Sequence, residues 1–329
     1  SVLRSVKGWP RSGRTPALRE LASRFQWPGH EKVPLFRRHA PTPPQAGSRG
    51  VVTCTSASTA RSTWRMVLRL REAGCSLPVE LWHAGGGEVA RSVERLASGA
   101  ASVQARDLRR HLSTTSAALA NGELALLRGF ACRPLALLAT SLDEVLLVDR
   151  RAHFFADPTK LFGSPLFRAS GMLLFHDRLS RHIRGQPLTD AARYVRHQYL
   201  RRATSAAFLG ELGLTWPWQP SLDMRTSPML EESSSHTIDA TALLFSKSRA
   251  SRVVHVLHNL LDMQRHEMRR NLGHDKELFW LACELVGGAQ RCGLSPRAAG
   301  EIGAMQPQLD GRECLVGSLL QVDPHRPTH

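Results

Sequence analysis

Residues 144–158 read EVLLVDRRAHFFADP, and they put an acid where chemistry is usually done. Val145, Leu146, Leu147 and Val148 form a short apolar run of the kind that makes a buried strand, and it ends at Asp149. In phosphate-handling sites a second acid two residues on completes an oxygen cage for a hard divalent ion. Here Arg150 follows, and Arg151 stands where that second acid would be. One carboxylate is a poor cage, and a neighbouring guanidinium repels a cation. A guanidinium offers something else: a bidentate fork for phosphate that stays charged at any physiological pH.

The elements that must position Asp149 alternate along the chain. A β-rich run covers Gly50 to Ser56, and a helix follows with Ala60, Trp64, Val67 and Leu68 on one face, stopped by Gly74. Strands are predicted at Leu77 to His83, near Val103 to Ala105, at Val145 to Val148, at Gly171 to His176 and at Ser235 to Thr241. Helices are predicted at about Glu88 to Leu96, Pro134 to Thr140, Ser248 to Met263 and Lys276 to Val286. Such alternation implies a doubly wound α/β sheet, whose ligands bind beyond the carboxyl ends of the strands, where Asp149 falls. No phosphate loop or dinucleotide fingerprint accompanies it. The glycine-rich Ala84 to Glu88 lacks the Lys and Ser/Thr of a phosphate cradle.

Four pieces of sequence, in order, carry a family resemblance: RGVVTC…LREAGCSLPVELWHAG, CRPLALLATSLDEVLLVDRRAHFFADPTKLFGSPLFRASGMLLFHD, EESSSHTID and GHDKELFWLACELVG. Together they resemble the fungal-type α-mannosyltransferases of the Golgi, over about residues 49–288. Arg133 takes the place of a family Lys, Pro134 of its Pro, and Asp149 of the first acid of Asp-x-Asp; Arg150 and Arg151 replace the rest. Glu232, Ser233, Ile238 and Asp239 match a third motif, and Asp275, Lys276 and Glu277 a fourth. The resemblance implies an α/β GT-A glycosyltransferase fold with a mixed, mostly parallel sheet flanked by helices. It implies transfer of mannose from GDP-mannose to a glycan or glycoprotein acceptor with retention, and Mn²⁺ or Mg²⁺ as cofactor. Carried over residue by residue, Asp275 and Glu232 become catalytic or acceptor-side groups. Asp149, Arg150, Arg151, Arg133, Lys276 and Ser233 become donor-binding groups, with Asp149 the one remaining candidate metal ligand.

The missing second acid leaves three readings open. Arg150 or Arg151 pairs with the diphosphate directly, or Asp157 or Asp177 supplies the lost ligand, or the chain is an inactive relative that keeps the fold and binds a nucleotide sugar or a partner. Ordinary alternatives stand beside the site roles: Asp149 as a turn cap, Asp275 as a helix N-cap, Ser233 to Ser235 as turn formers, Trp216 and Trp218 as loop aromatics rather than a sugar platform. His83, His176 and His274 lack metal-ligand spacing.

Composition bounds the rest. The formal charge of +16 attracts anions, yet 39 of 44 basic residues are Arg and they are spread along the whole chain rather than gathered in one patch. That speaks for a biased composition and against a nucleic-acid footprint. The run from Arg178 to Arg202 reads as a solvated helical face. Six cysteines show no CxxC and no zinc spacing, and those in apolar runs read as buried free thiols, with disulfides open to an oxidising compartment. Residues 1–47 read as a Pro/Gly/Arg-rich stem, 48–290 as the glycosyltransferase-like domain and 291–329 as a C-terminal extension. No stretch is apolar enough to span a membrane. The resemblance therefore implies a type II Golgi protein whose anchor precedes Ser1.

Overall fold

The computed structural model describes residues 41–85, 87–113, 131–178, 182–183, 186–187, 209–210, 214, 221–227, 236–264, 276–287, 292–307, 313–321 and 324. Glu232, Ser233, Asp275, His274, Trp216, Trp218 and most of the Arg178 to Arg202 run lie outside them.

One six-stranded sheet organises the chain. Its strands are β1 (Gln45–Cys54), β2 (Val79–His83), β3 (Val103–Asp107), β4 (Leu142–Val148), β5 (Met172–His176) and β6 (Ile238–Ser246), in the order β3-β2-β1-β4-β6-β5. β3, β2, β1 and β4 run parallel, and β6 lies antiparallel between β4 and β5. The sheet is therefore mixed and mostly parallel, as the family resemblance implies.

Because successive side chains point to opposite faces, a strand covered on both sides reads as a continuous apolar run. β4 does so: Val145 and Leu147 join one core, Leu146 and Val148 the other. The first core packs under α4 (Cys132–Ala139), α6 (Ser251–Gln264) and α7 (Lys276–Gly287). The second packs under α1 (Ala60–Glu72), α2 (Glu88–Ser98) and α5 (Pro165–Ser170). A short helix, α3 (Leu108–Ser113), follows β3. Helices on both faces complete the doubly wound layout.

Several expectations are corrected. The buried face of α1 is Ala60, Thr63, Met66, Val67 and Leu70, while Leu68 is 45% exposed. Its partner on the sheet is a stripe at i, i+3, i+6, i+7 and i+10, one step round the helix from the predicted face. The strand predicted over Ser235 to Thr241 runs instead from Ile238 to Ser246, because Leu243, Leu244 and Phe245 pair with β4 and β5.

The cysteines also differ. Cys54, the last residue of β1, is bonded to Cys132, the first of α4, and Cys283 of α7 is bonded to Cys292. The first pair is 78 residues apart in sequence, and only the return of α4 across β1 brings it together. Cys75 fits the expectation, a buried free thiol pushed up by burial.

The segment after α7 returns to the sheet. Leu174 N–H donates to Gly293 C=O (3.0 Å) and Ser295 N–H to Leu174 C=O (2.8 Å), extending the edge beside β5. Gly293 is obligatory there: its φ is +54°, and a Cβ would lie 2.0 Å from the Met172 carbonyl oxygen. A hairpin, β7 (Gly300–Pro307) with β8 (Glu313–Leu320), follows.

Candidate functional site

The parallel strands deliver their last residues to one edge, and antiparallel β6 begins there. Asp149 is the first residue past β4. Its N–H donates to Thr241 C=O on β6 (2.8 Å), and its own carbonyl accepts from Ala152 N–H (2.9 Å), closing a tight turn. Within that turn the carboxylate doubles back: Oδ1 accepts from Arg151 backbone N–H (2.9 Å) and from Arg151 Nε (3.0 Å). The aspartate is thus both a turn cap and an ion-pair partner.

Burial pushes the Asp149 carboxyl up, but the two hydrogen bonds from Arg151 and the charges of Arg133 and Arg151 outweigh it and hold the group below its ordinary range. Arg151 is raised in turn by its bond to Asp149. Its side chain remains 75% exposed and, among the described residues, bonds through Nε alone, which leaves Nη1 and Nη2 for another anion. Arg150, half-buried at the second position of the turn, forms no ion pair among the described residues.

Two further cations stand at the same edge. Arg133, in the first turn of α4, donates through Nη2 to Ala240 C=O on β6. The Cys54–Cys132 disulfide ties the adjoining residue to the end of β1. Lys276, the first residue of α7, forms an ion pair with Asp177, which directly follows β5. Asp239, near the start of β6, is buried; Oδ1 accepts from Thr241 N–H (3.1 Å) and Oγ1 (2.8 Å), and its charge reinforces that of Arg151. Gln321 Nε2 reaches the same place, donating to His176 C=O at 2.7 Å.

These residues do not fit a divalent ion. Asp149 is engaged by Arg151 and Asp177 by Lys276. Asp157 accepts from Thr159 N–H (2.9 Å) and Oγ1 (2.6 Å) and stands against the turn at Gly74 that leads into β2. Neither candidate replacement ligand joins Asp149. No group of three or more His, Cys, Asp or Glu is arranged to hold a metal among the described residues. His83 and His176, at the ends of β2 and β5, are pushed down by burial, which favours their neutral forms.

The structure thus brings Asp149, Arg150, Arg151, Arg133 and Lys276 to one edge of one sheet. Sequence reasoning did not single out Asp239 as a site residue. Its signal was the Ile238–Asp239 pair, whose meaning depends on β6 entering the sheet beside β4.

Residues 48–323 match the family model described as "Mannosyltransferase putative". No curated protein matches the chain. Among solved structures it is similar to the WbbM bifunctional glycosyltransferase, at 14% identity and a TM-score of 0.38, covering 68% of this chain and 36% of that one. It is also similar to the galactosyltransferase LgtC solved with donor and acceptor sugar analogs, at 11% identity and a TM-score of 0.38, covering 73% of this chain and 72% of that one. A third is the mannosyl-3-phosphoglycerate synthase of Rubrobacter xylanophilus, at 13% identity and a TM-score of 0.32, covering 87% and 94%.

Proposed function

The chain belongs to this mannosyltransferase family, and from that premise we propose that it transfers mannose from GDP-mannose to a glycan acceptor with retention, using guanidinium groups where its relatives would use a metal. The observation that carries the reading is the turn at Asp149, where Arg151 fills the position of the second acid and presents unused Nη donors at the strand ends. When the bond from C1 to the donor diphosphate breaks, the electron pair goes to a phosphate oxygen. Fixed cations that meet this charge lower the barrier without reorganising. Arg151 and Arg150 take this role, with Arg133 and Lys276 supporting them from α4 and α7. Asp149 holds Arg151 in place rather than holding an ion. Ser233 completes the donor side, and Glu232 and Asp275 serve the acceptor side.

Both disulfides support an oxidising compartment, in keeping with a protein of the Golgi lumen. Among the described residues, no helix is long and apolar enough to cross a membrane.

One observation favours a second reading, an inactive domain that binds a nucleotide sugar: Asp149 Oδ1 is already occupied by two donors from Arg151. Thermal shift with GDP-mannose in chelator, followed by donor hydrolysis, separates the two. The transferase reading predicts stabilisation that survives chelator, with sugar released. Stabilisation without release supports the inactive domain, and strict dependence on Mn²⁺ contradicts the guanidinium mechanism.

A further inference from the structure

Beside the cations, at the start of β6 and the N-terminus of α7, lies a pair of buried oxygens without a hydrogen-bond partner among the described residues. Glu277 is 6% exposed and Thr237 is 3% exposed. Glu277 Oε1 accepts from Thr237 backbone N–H at 3.0 Å and stands 3.3 Å from His236 Nδ1. Glu277 Oε2 and Thr237 Oγ1 have no hydrogen-bond partner among the described residues. The carboxylate's bond to the backbone of Thr237 joins the two residues that carry the orphaned oxygens, and the oxygens do not bond each other. Native interiors rarely leave such groups unpaired, since each loses its water without recompense. An orphaned pair beside a candidate active site points to a missing ligand.

The chemistry of the pair narrows what that ligand is. A carboxylate oxygen can only accept, while a threonine hydroxyl can donate or accept. A ligand hydroxyl does both, donating its proton to Glu277 Oε2 and accepting one from Thr237 Oγ1. A phosphate or carboxylate would be repelled by Glu277. The neighbours continue the polar frame: Asp177 N–H donates to Thr237 C=O at 3.1 Å, placing the pair next to the Lys276–Asp177 ion pair.

Resting on the transferase reading above, we infer that Thr237 and Glu277 form a hydroxyl-binding subsite for the acceptor sugar. Glu277 also fixes the start of β6 through Oε1, so binding of the sugar and the setting of that strand share one carboxylate. Both free oxygens are closed to solvent, so the subsite opens as the sugar enters.

The test measures binding of methyl α-mannoside in the absence of donor, and separately the thermal shift with GDP-mannose, for the wild-type chain and for Thr237→Val, Thr237→Ser and Glu277→Gln. The inference predicts that Thr237→Val and Glu277→Gln weaken the hexoside by about tenfold, roughly one hydrogen bond. Thr237→Ser restores binding, and the GDP-mannose shift is unchanged throughout. Should Glu277→Gln fail to fold, the contrast between Thr237→Val and Thr237→Ser still decides. Hexoside binding that ignores all three substitutions, or is absent from the wild type, overturns the inference and leaves an occluded solvent site. Loss of the GDP-mannose shift in step with hexoside binding overturns it too, by making the pair structural. A wild-type chain that binds hexoside but no nucleotide sugar contradicts the transferase reading alone.

Discussion

The two edges of the central sheet use the same residue types in opposite ways. Where β1 and β4 begin, the charges of Glu144, Arg49, Arg249, Asp143 and Lys247 are all committed. Glu144 accepts from Arg49 Nε and from Arg249 Nη2, each at 2.8 Å. Arg249 also donates to the carbonyls of Phe167 (2.9 Å) and Arg168 (2.8 Å), and the two guanidiniums lie over the rings of Phe162 and Phe167. Asp143 takes Ser248 N–H and Oγ, each at 2.9 Å, and buried Lys247 donates to Thr42, Leu138 and Thr140 carbonyls. At the opposite edge, among the described residues, Arg151 keeps both Nη groups unused, and Thr237 and Glu277 hold orphaned oxygens. Satisfied polar groups stabilise a fold, whereas unsatisfied ones are tolerated where a ligand will meet them.

The sharpest way to break this contrast is Arg151→Ala. Losing a charge that meets the departing diphosphate lowers the transfer rate by about 100-fold. The melting temperature stays put, because the side chain is largely exposed. A variant that melts early while keeping its rate would move Arg151 to the structural side.

Between the edges, α7 carries Glu284 into the core. Burial pushes this carboxyl up to about 7, against a hydrogen bond from Ser221 Oγ at 2.9 Å. Since the folded value lies above the ordinary 4.5, this group's contribution to stability is full below about 4.5 and is lost as pH rises through about 7. The slope is at most roughly 1.4 kcal/mol per pH unit. Glu284→Gln should flatten it, which chemical denaturation of both proteins at pH 5 and pH 8 would reveal. An unchanged difference between the two pH values would mean that other groups set the pH response.

Glu144→Gln probes the committed edge. It leaves two half-exposed guanidiniums without their shared carboxylate, costing about 1–2 kcal/mol, read as a lower denaturant midpoint with an unchanged GDP-mannose shift. Loss of donor binding instead would mean that the two edges are coupled. The smallest effect is expected from Arg150→Ala, a few-fold drop in donor affinity that shrinks further in high salt. Salt-independent loss would give Arg150 a direct, desolvated contact.

What could be read in advance follows from which forces are local. The apolar run of β4 announced a doubly covered strand, and the residue after it announced a site at the strand end, because period and burial are properties of adjacent residues. The exposure of Leu68 was not legible: Val67 and Leu68 are equally apolar neighbours, and the crossing of α1 over the sheet decides which is buried. Nor was the Cys54–Cys132 bond, which depends on α4 lying back across β1. Asp239, Thr237 and Glu277 were hidden for the same reason. Their setting exists only because β6 inserts antiparallel between β4 and β5, a pairing of segments about 90 and 60 residues apart in sequence.

The central claim is that a guanidinium at position 151 does the work of a metal. Arg151→Asp tests it most directly, by restoring the missing acid beside Asp149 and removing the cation. The measurement is the GDP-mannose thermal shift of wild type and variant, in chelator and in Mn²⁺. The account predicts that the wild type responds equally in both, and that the variant loses its response in chelator and regains it with Mn²⁺. A folded variant that binds GDP-mannose in chelator as well as the wild type does would contradict it.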